Sequence, residues 1–251
     1  MTNIHSTEGL ELAQIVFYGM AALPAFVCFA AHGKHGVMGW LYVIVMCGLR
    51  LAGNAMAYHS LSTTGHANEA AQIISGIGLS PLLLAALGIL HEANHSIQTT
   101  LPKILQGPSL FLPHVVILTG IALAAASGGR STLLEAGMIV LTFGWLFIVT
   151  LIAMSLRAGS SDSRVNDEKK LLWAVIVAIP LIGVRVIYSV VIAFVDWRAD
   201  GGSLAVQVVF GTIAEFFVMI TYIAAGIVTR NLASDRAKLK SGSSRNQNNL
   251  V

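Results

Sequence analysis

Seven runs of about twenty apolar residues, at about 11–31, 37–58, 70–91, 109–128, 133–156, 171–195 and 204–228, confine this chain to one kind of fold. Each is long enough for a helix to cross the ~30 Å hydrocarbon layer of a bilayer, where only helices and closed barrels satisfy their own backbone. With 55% hydrophobic and 11% charged residues, a domain of this length could not be solvated by water alone. The sequence therefore predicts an all-α, seven-transmembrane-helix bundle over residues 1–229, followed by a polar, disordered tail over 230–251.

The basic residues orient the bundle. Lys34, Lys103, Arg157, Arg164, Lys169, Lys170 and the tail cations fall on one side, and only Arg130 and Arg198 on the other. The positive-inside rule then predicts a lumenal or external N-terminus and a cytosolic C-terminus. The net charge of +3 reads as this topology signal and gives no reason to expect a nucleic-acid partner. The opening MTNIHSTEGL lacks Lys and Arg, so the first run reads as a retained span, with the endoplasmic reticulum as the expected membrane. Cys28 and Cys47 lie inside apolar runs and imply no disulfide framework.

An internal period accompanies the spans. Gly48-Leu49-Arg50-Leu51 aligns with Gly183-Val184-Arg185-Val186, and Gln72-Ile73-Ile74-Ser75-Gly76 with Gln207-Val208-Val209-Phe210-Gly211, both at an offset of 135 residues. Spans one to three would then repeat as five to seven with span four as linker, a parallel 3+1+3 arrangement with its site between the halves.

Charged groups inside spans cost ~2.5–3.5 kcal/mol at a helix centre and default to a functional role. Arg50, Arg185 and Glu215 are the mid-span cases. Helical spacing extends them into stripes: Arg50, Asn54 and Tyr58; Arg185, Tyr188 and Ser189; Gln207, Gly211, Glu215, Met219 and Tyr222; Gln14 and Tyr18; Gln72, Ser75 and Gly76. Nearly all fall in the lumenal half, and the cytosolic half reads as more uniformly apolar. The expectation is a polar cavity opening toward the lumen, with Glu69, Glu135 and Asp196 at its rim. The alternative is a pair between Glu215 and an arginine that simply fastens helices.

His91-Glu92-Ala93-Asn94-His95 spells the H-E-x-x-H signature, in which two imidazoles four residues apart bind zinc and the glutamate activates water. It falls where span three ends, away from the expected cavity. Its possible third ligands, His32, His35 and Asp162, have no recognisable spacing, so an intramembrane zinc hydrolase is the lesser reading. Asn94-His95-Ser96 is a glycosylation sequon on the predicted cytosolic side, where it goes unused. Span seven lacks the mid-span lysine of a microbial rhodopsin, and no receptor motif is recognisable.

The stretches IPLIGVRVIYSVVIAF (179–194), VQVVFGTIAEFFVMITYIAAGI (206–227) and GLSPLLLAALGILHEA (78–93) resemble the small fungal membrane-bound terpene cyclases of meroterpenoid pathways, the ascofuranone and macrophorin cyclase type. The resemblance extends over all seven spans. It implies acid-initiated cyclisation of a farnesyl chain on an aromatic or polyketide head in secondary metabolism, by protonation of an epoxide or alkene, without metal or cofactor.

Such chemistry needs a protonated carboxyl facing an apolar, water-poor chamber. Glu215, beside Phe216 and Phe217, is the candidate acid, provided that Arg50 and Arg185 do not both hold it. Asp196 and Glu69 are the rim alternatives and Tyr188 a candidate final base. Arg50, Asn54, Arg185, Gln72, Gln207, Tyr222 and Trp145 are candidate substrate-binding residues. Trp145, Phe143, Phe194, Trp197, Phe210 and Tyr222 are aromatic groups at suitable depth to stabilise a cation. The competing class is a small-solute transporter of the same 3+1+3 plan, in which the two arginines bind an anionic or hydroxylated solute. A transporter needs polar lining in both halves, and the apolar cytosolic half argues against it.

Overall fold

The computed structural model describes residues 2–64, 79–98, 111–127, 131–158, 165–195 and 204–232. Everything regular within them is helical. We label the helices α1 (Thr2–Thr64), α2 (Leu79–Ala93), α3 (Phe111–Ala126), α4 (Ser131–Ala158), α5 (Asn166–Val195) and α6 (204–228).

The long α1 is two antiparallel arms. The chain reverses at Gly33, whose φ of 58° and ψ of −153° interrupt the helix. A positive φ carries no steric cost for glycine, which explains how so short a turn joins two spans. The arms then lie side by side: Gln14 accepts a hydrogen bond from Asn54 at 3.3 Å, and Gly19 faces Leu51.

Among the described residues, five segments are long and apolar enough to cross a membrane: Ser6–Lys34, Gly36–Thr63, Thr132–Ala158, Asn166–Phe194 and Gln207–Val228. Leu79–Ala93 and Phe111–Ala126 are shorter apolar helices. The third and fourth runs thus provide less helix within the described residues than their apolar lengths suggest. The outer surface is itself apolar, with Leu23, Phe26, Trp173 and Ile187 more than half exposed. An apolar exterior this extensive requires lipid rather than water around it, and the chain is a multi-pass membrane protein.

The core forms around α2, in which every residue but His91 is buried. A helix that is apolar all round belongs in the middle of a bundle. It packs mainly on α1 and α5. Its closest approach to α1 joins two glycines: a Cβ added at Gly88 would lie 2.4 Å from the Gly39 nitrogen. Gly120 and Gly137 bring α3 and α4 together in the same way, a Cβ at Gly137 falling 2.8 Å from the Gly120 carbonyl oxygen. Small residues at crossings let membrane helices gain van der Waals contact where no hydrophobic drive separates protein from lipid.

Candidate functional site: a buried carboxylate shared by two arginines

Glu215 lies 2% exposed on α6, two residues past the π-helical stretch Gln207–Ile213. Its oxygens are acceptors on every side. Arg50, from the second arm of α1, donates from Nε to Oε1 at 2.5 Å and from its second terminal nitrogen to Oε2, a bidentate pair. Tyr18, from the first arm, donates its hydroxyl to Oε1 at 2.7 Å. Arg185 of α5 brings Nε to 3.5 Å from Oε2, close enough for attraction between charges without completing a hydrogen bond. Three helical segments far apart in sequence thus converge on one carboxylate.

The two arginines are not equivalent. Arg50 pairs bidentately with Glu215, and Glu11, half-buried on the face of α1 that holds Gln14 and Tyr18, lies within its electrostatic reach. Arg185 donates from one terminal nitrogen to Ser189 at 2.8 Å and sits 5.5 Å from the centre of the Tyr188 ring. Its Nε has no hydrogen-bond partner among the described residues. Tyr188 in turn packs on Gly211 of the π-helical stretch, where an added Cβ would lie 3.4 Å from the ring.

The expected stripes fold inward largely as their spacing requires. Arg50 and Asn54 are buried while Tyr58 is exposed; Gly211, Glu215, Met219 and Tyr222 are buried and Gln207 is half-buried. Asp196, Glu69, Gln72 and Trp197 lie outside the described residues. The carboxylate of Glu215 is held at both oxygens by Arg50, with Arg185 3.5 Å from Oε2, which is the helix-fastening pair of the alternative reading. One expectation needs correction: of the aromatic groups proposed for a cation chamber, Phe143, Phe194 and Phe210 face outward at 64%, 49% and 46% exposure, whereas Tyr222 is buried. Trp145 is a packing residue. Its indole donates to the Ile179 carbonyl at 3.1 Å beside Pro180 and occupies space left by Gly183.

A second buried polar layer at the Gly33 end of the bundle overturns the expectation of a uniformly apolar half. His32 contacts the Cys28 carbonyl at 2.8 Å and the Thr229 hydroxyl at 3.0 Å. The Trp40 indole donates to Glu92 at 3.0 Å, Ser155 donates to Asn94 at 2.6 Å, and Ser96 donates its hydroxyl to Glu168 at 2.9 Å. Glu92 and Glu168 are completely buried. This layer lies about 21 Å from the Glu215 layer along both α1 and α6, since fourteen residues separate Tyr18 from His32 and Glu215 from Thr229.

The zinc reading loses its geometry here. Helix α2 ends at Ala93 and His95 begins a separate 3₁₀ turn, so the two imidazoles do not share one helical face. Glu92 is bonded to Trp40, and Asp162 and the His35 side chain lie outside what the structure describes. No group of three His, Cys, Asp or Glu side chains among the described residues could hold a metal. Asn94, 1% exposed and bonded to Ser155, is closed to glycosylation in the folded chain.

A protein family described as a domain of unknown function, DUF7702, matches residues 4–232. The chain belongs to this family. No curated protein and no solved structure matches it. The DUF7702 match begins before Glu11 and ends beyond Thr229, so both polar layers fall within the family's extent.

Sequence reasoning placed Gln14 and Tyr18 on a polar stripe but did not join Tyr18 to Glu215. It also missed the links from His32 to Thr229 and from Glu168 to Ser96. Polar residues at the ends of apolar runs look like ordinary headgroup contacts until the fold shows them fully buried. The π-helical stretch carries no sequence signal that we can identify.

Proposed function

We propose that the chain is a carrier for small anionic or hydroxylated solutes, built as seven spans in a parallel 3+1+3 repeat with a lumenal N-terminus and a cytosolic C-terminus. One observation carries this reading. Arg50 and Arg185, 135 positions apart and equivalent under the repeat, meet at the single carboxylate of Glu215, and the Nε of Arg185 stays 3.5 Å from it without a completed hydrogen bond among the described residues. A buried guanidinium that lacks a full partner is costly, and a solute anion relieves that cost. Glu215 then serves as an internal stand-in for the solute: Arg185 turns from it when the solute arrives, and Arg50 keeps it fixed.

Two further features support the reading. Buried polar groups occupy both ends of the bundle, which removes the sequence argument against transport. The π-helical stretch beside Arg185 is a conformation that recurs at functional positions in helices. The test is uptake of labelled benzoate and octanoate into sealed vesicles carrying the full chain. Saturable uptake that Arg185→Gln abolishes supports the carrier. Its absence from vesicles with correctly folded protein refutes it.

A second reading is favoured by the resemblance in spans three, six and seven, that of a terpene cyclase of the endoplasmic reticulum acting on a farnesylated aromatic or polyketide. There Arg185 holds the phenolic or carboxyl head, Glu215 is a positioning residue, Asp196 or Glu69 supplies the proton and Tyr188 receives the final one. Co-expression with a farnesylated phenol distinguishes the two. An isomer of unchanged mass and altered retention supports cyclisation, whereas uptake without chemical change supports the carrier.

A further inference from the structure

We infer that the ligand of the arginine layer is an amphipathic acid or phenol with a second oxygen at the far end of a hydrocarbon body, and that Tyr222 donates a hydrogen bond to that oxygen. This rests on the anion-binding reading of Arg185 given above, and it adds the chemical class of the molecule.

Tyr222 is completely buried on α6, and its hydroxyl has no hydrogen-bond partner among the described residues. A hydroxyl taken out of water without a partner is unfavourable, and nearly all buried polar atoms in folded proteins are matched. Tyr222 lies seven residues beyond Glu215 on the same helical face, an axial separation of about 10 Å. Among the described residues, then, two buried donors on these helices lack a completed hydrogen bond: Arg185 Nε, 3.5 Å from the Glu215 carboxylate, and the Tyr222 hydroxyl two turns further along α6.

The groups between these levels are apolar. Val218 and Met219 on α6 and Ile179 and Ile182 on α5 are buried hydrophobic residues. A ligand matching this pattern has an acidic oxygen at one end, a hydrocarbon body, and a neutral acceptor such as a hydroxyl, carbonyl or ether at the other. An oxygenated fatty or isoprenoid acid has that form. A dicarboxylate does not, because its second charge would be buried against a neutral phenol.

The experiment measures binding of octanoate and of ω-hydroxyoctanoate to the full chain in lipid nanodiscs, for the parent protein, Tyr222→Phe and Arg185→Gln. The parent should bind the hydroxy acid about two- to twelve-fold more tightly, the range expected of one neutral hydrogen bond. Tyr222→Phe should bind both acids equally, and Arg185→Gln should lose both. Tyr222→Phe should also melt no lower than the parent, since it removes a hydroxyl that bonds no described residue. A preference that survives in Tyr222→Phe overturns the assignment, as does a lowered melting temperature in that variant. Equal binding of the two acids by the parent overturns the Tyr222 assignment while leaving the anion site standing. Binding of neither acid overturns both.

Discussion

Replacing Glu215 with glutamine keeps the shape of the side chain and removes its charge. Arg50, 3% exposed, would then lose the carboxylate it holds bidentately, and Arg185 would lose the carboxylate 3.5 Å from its Nε. Breaking one member of a buried pair costs about 3–5 kcal/mol, because the remaining ion stays out of water uncompensated. For a chain of this length each kcal/mol shifts the melting temperature by about 2–4 °C, so the variant should melt roughly 6–20 °C lower. Adding Arg50→Met removes the stranded charge. The double variant should recover most of the loss, a departure from additivity of about 2 kcal/mol or more. Thermal unfolding of the purified full chain, followed by tryptophan fluorescence, measures all three variants. A single variant within about 1 kcal/mol of the parent, or strictly additive effects, would refute an ionic pair and return Glu215 to the role of acid.

Other perturbations test the remaining geometry. Gly88→Ala places a methyl group 2.4 Å from backbone at Gly39 and should destabilise the chain by about 1–3 kcal/mol or more, seen as a lower melting temperature and poor recovery from membranes. Gly33→Ala forces a φ of 58° on a residue with a side chain and should cost about 1–2 kcal/mol by the same measurement. Trp40→Phe removes the indole donor to the buried Glu92 and should cost about 1–3 kcal/mol. Asn94→Gln should leave electrophoretic mobility unchanged before and after glycosidase treatment, because Asn94 is enclosed and bonded to Ser155.

Much of the architecture was readable because a bilayer permits few solutions. Long apolar runs dictate helices, and the 3.6-residue period places Arg50 with Asn54 and Glu215 with Met219 and Tyr222 on inward faces. The partners were less legible. Nothing in the sequence says that Arg50 takes both oxygens of Glu215 while Arg185 stays at 3.5 Å, since that depends on helix rotation and on the glycine contacts that set helix spacing. The Gly33-end layer was misread because His32, Glu92 and Glu168 sit at run termini, where polar residues usually meet headgroups. Burial there comes from α2, which is short and wholly enclosed. The outward aromatics show the converse limit: depth along a span says how far a ring lies from the interface and nothing about which way it points.

The 165 positions between Arg50 and Glu215 bear on how the protein is made. During synthesis the first hairpin enters the membrane with a guanidinium whose counter-ion has not yet been translated. An arginine at mid-span carries an insertion penalty of ~2.5–3.5 kcal/mol until its partner arrives. The same final helix also supplies Thr229 to His32, so both ends of the hairpin wait for it. A nascent chain that still lacks α6 therefore carries Arg50 and His32 without their Glu215 and Thr229 contacts, and α6 completes both at once.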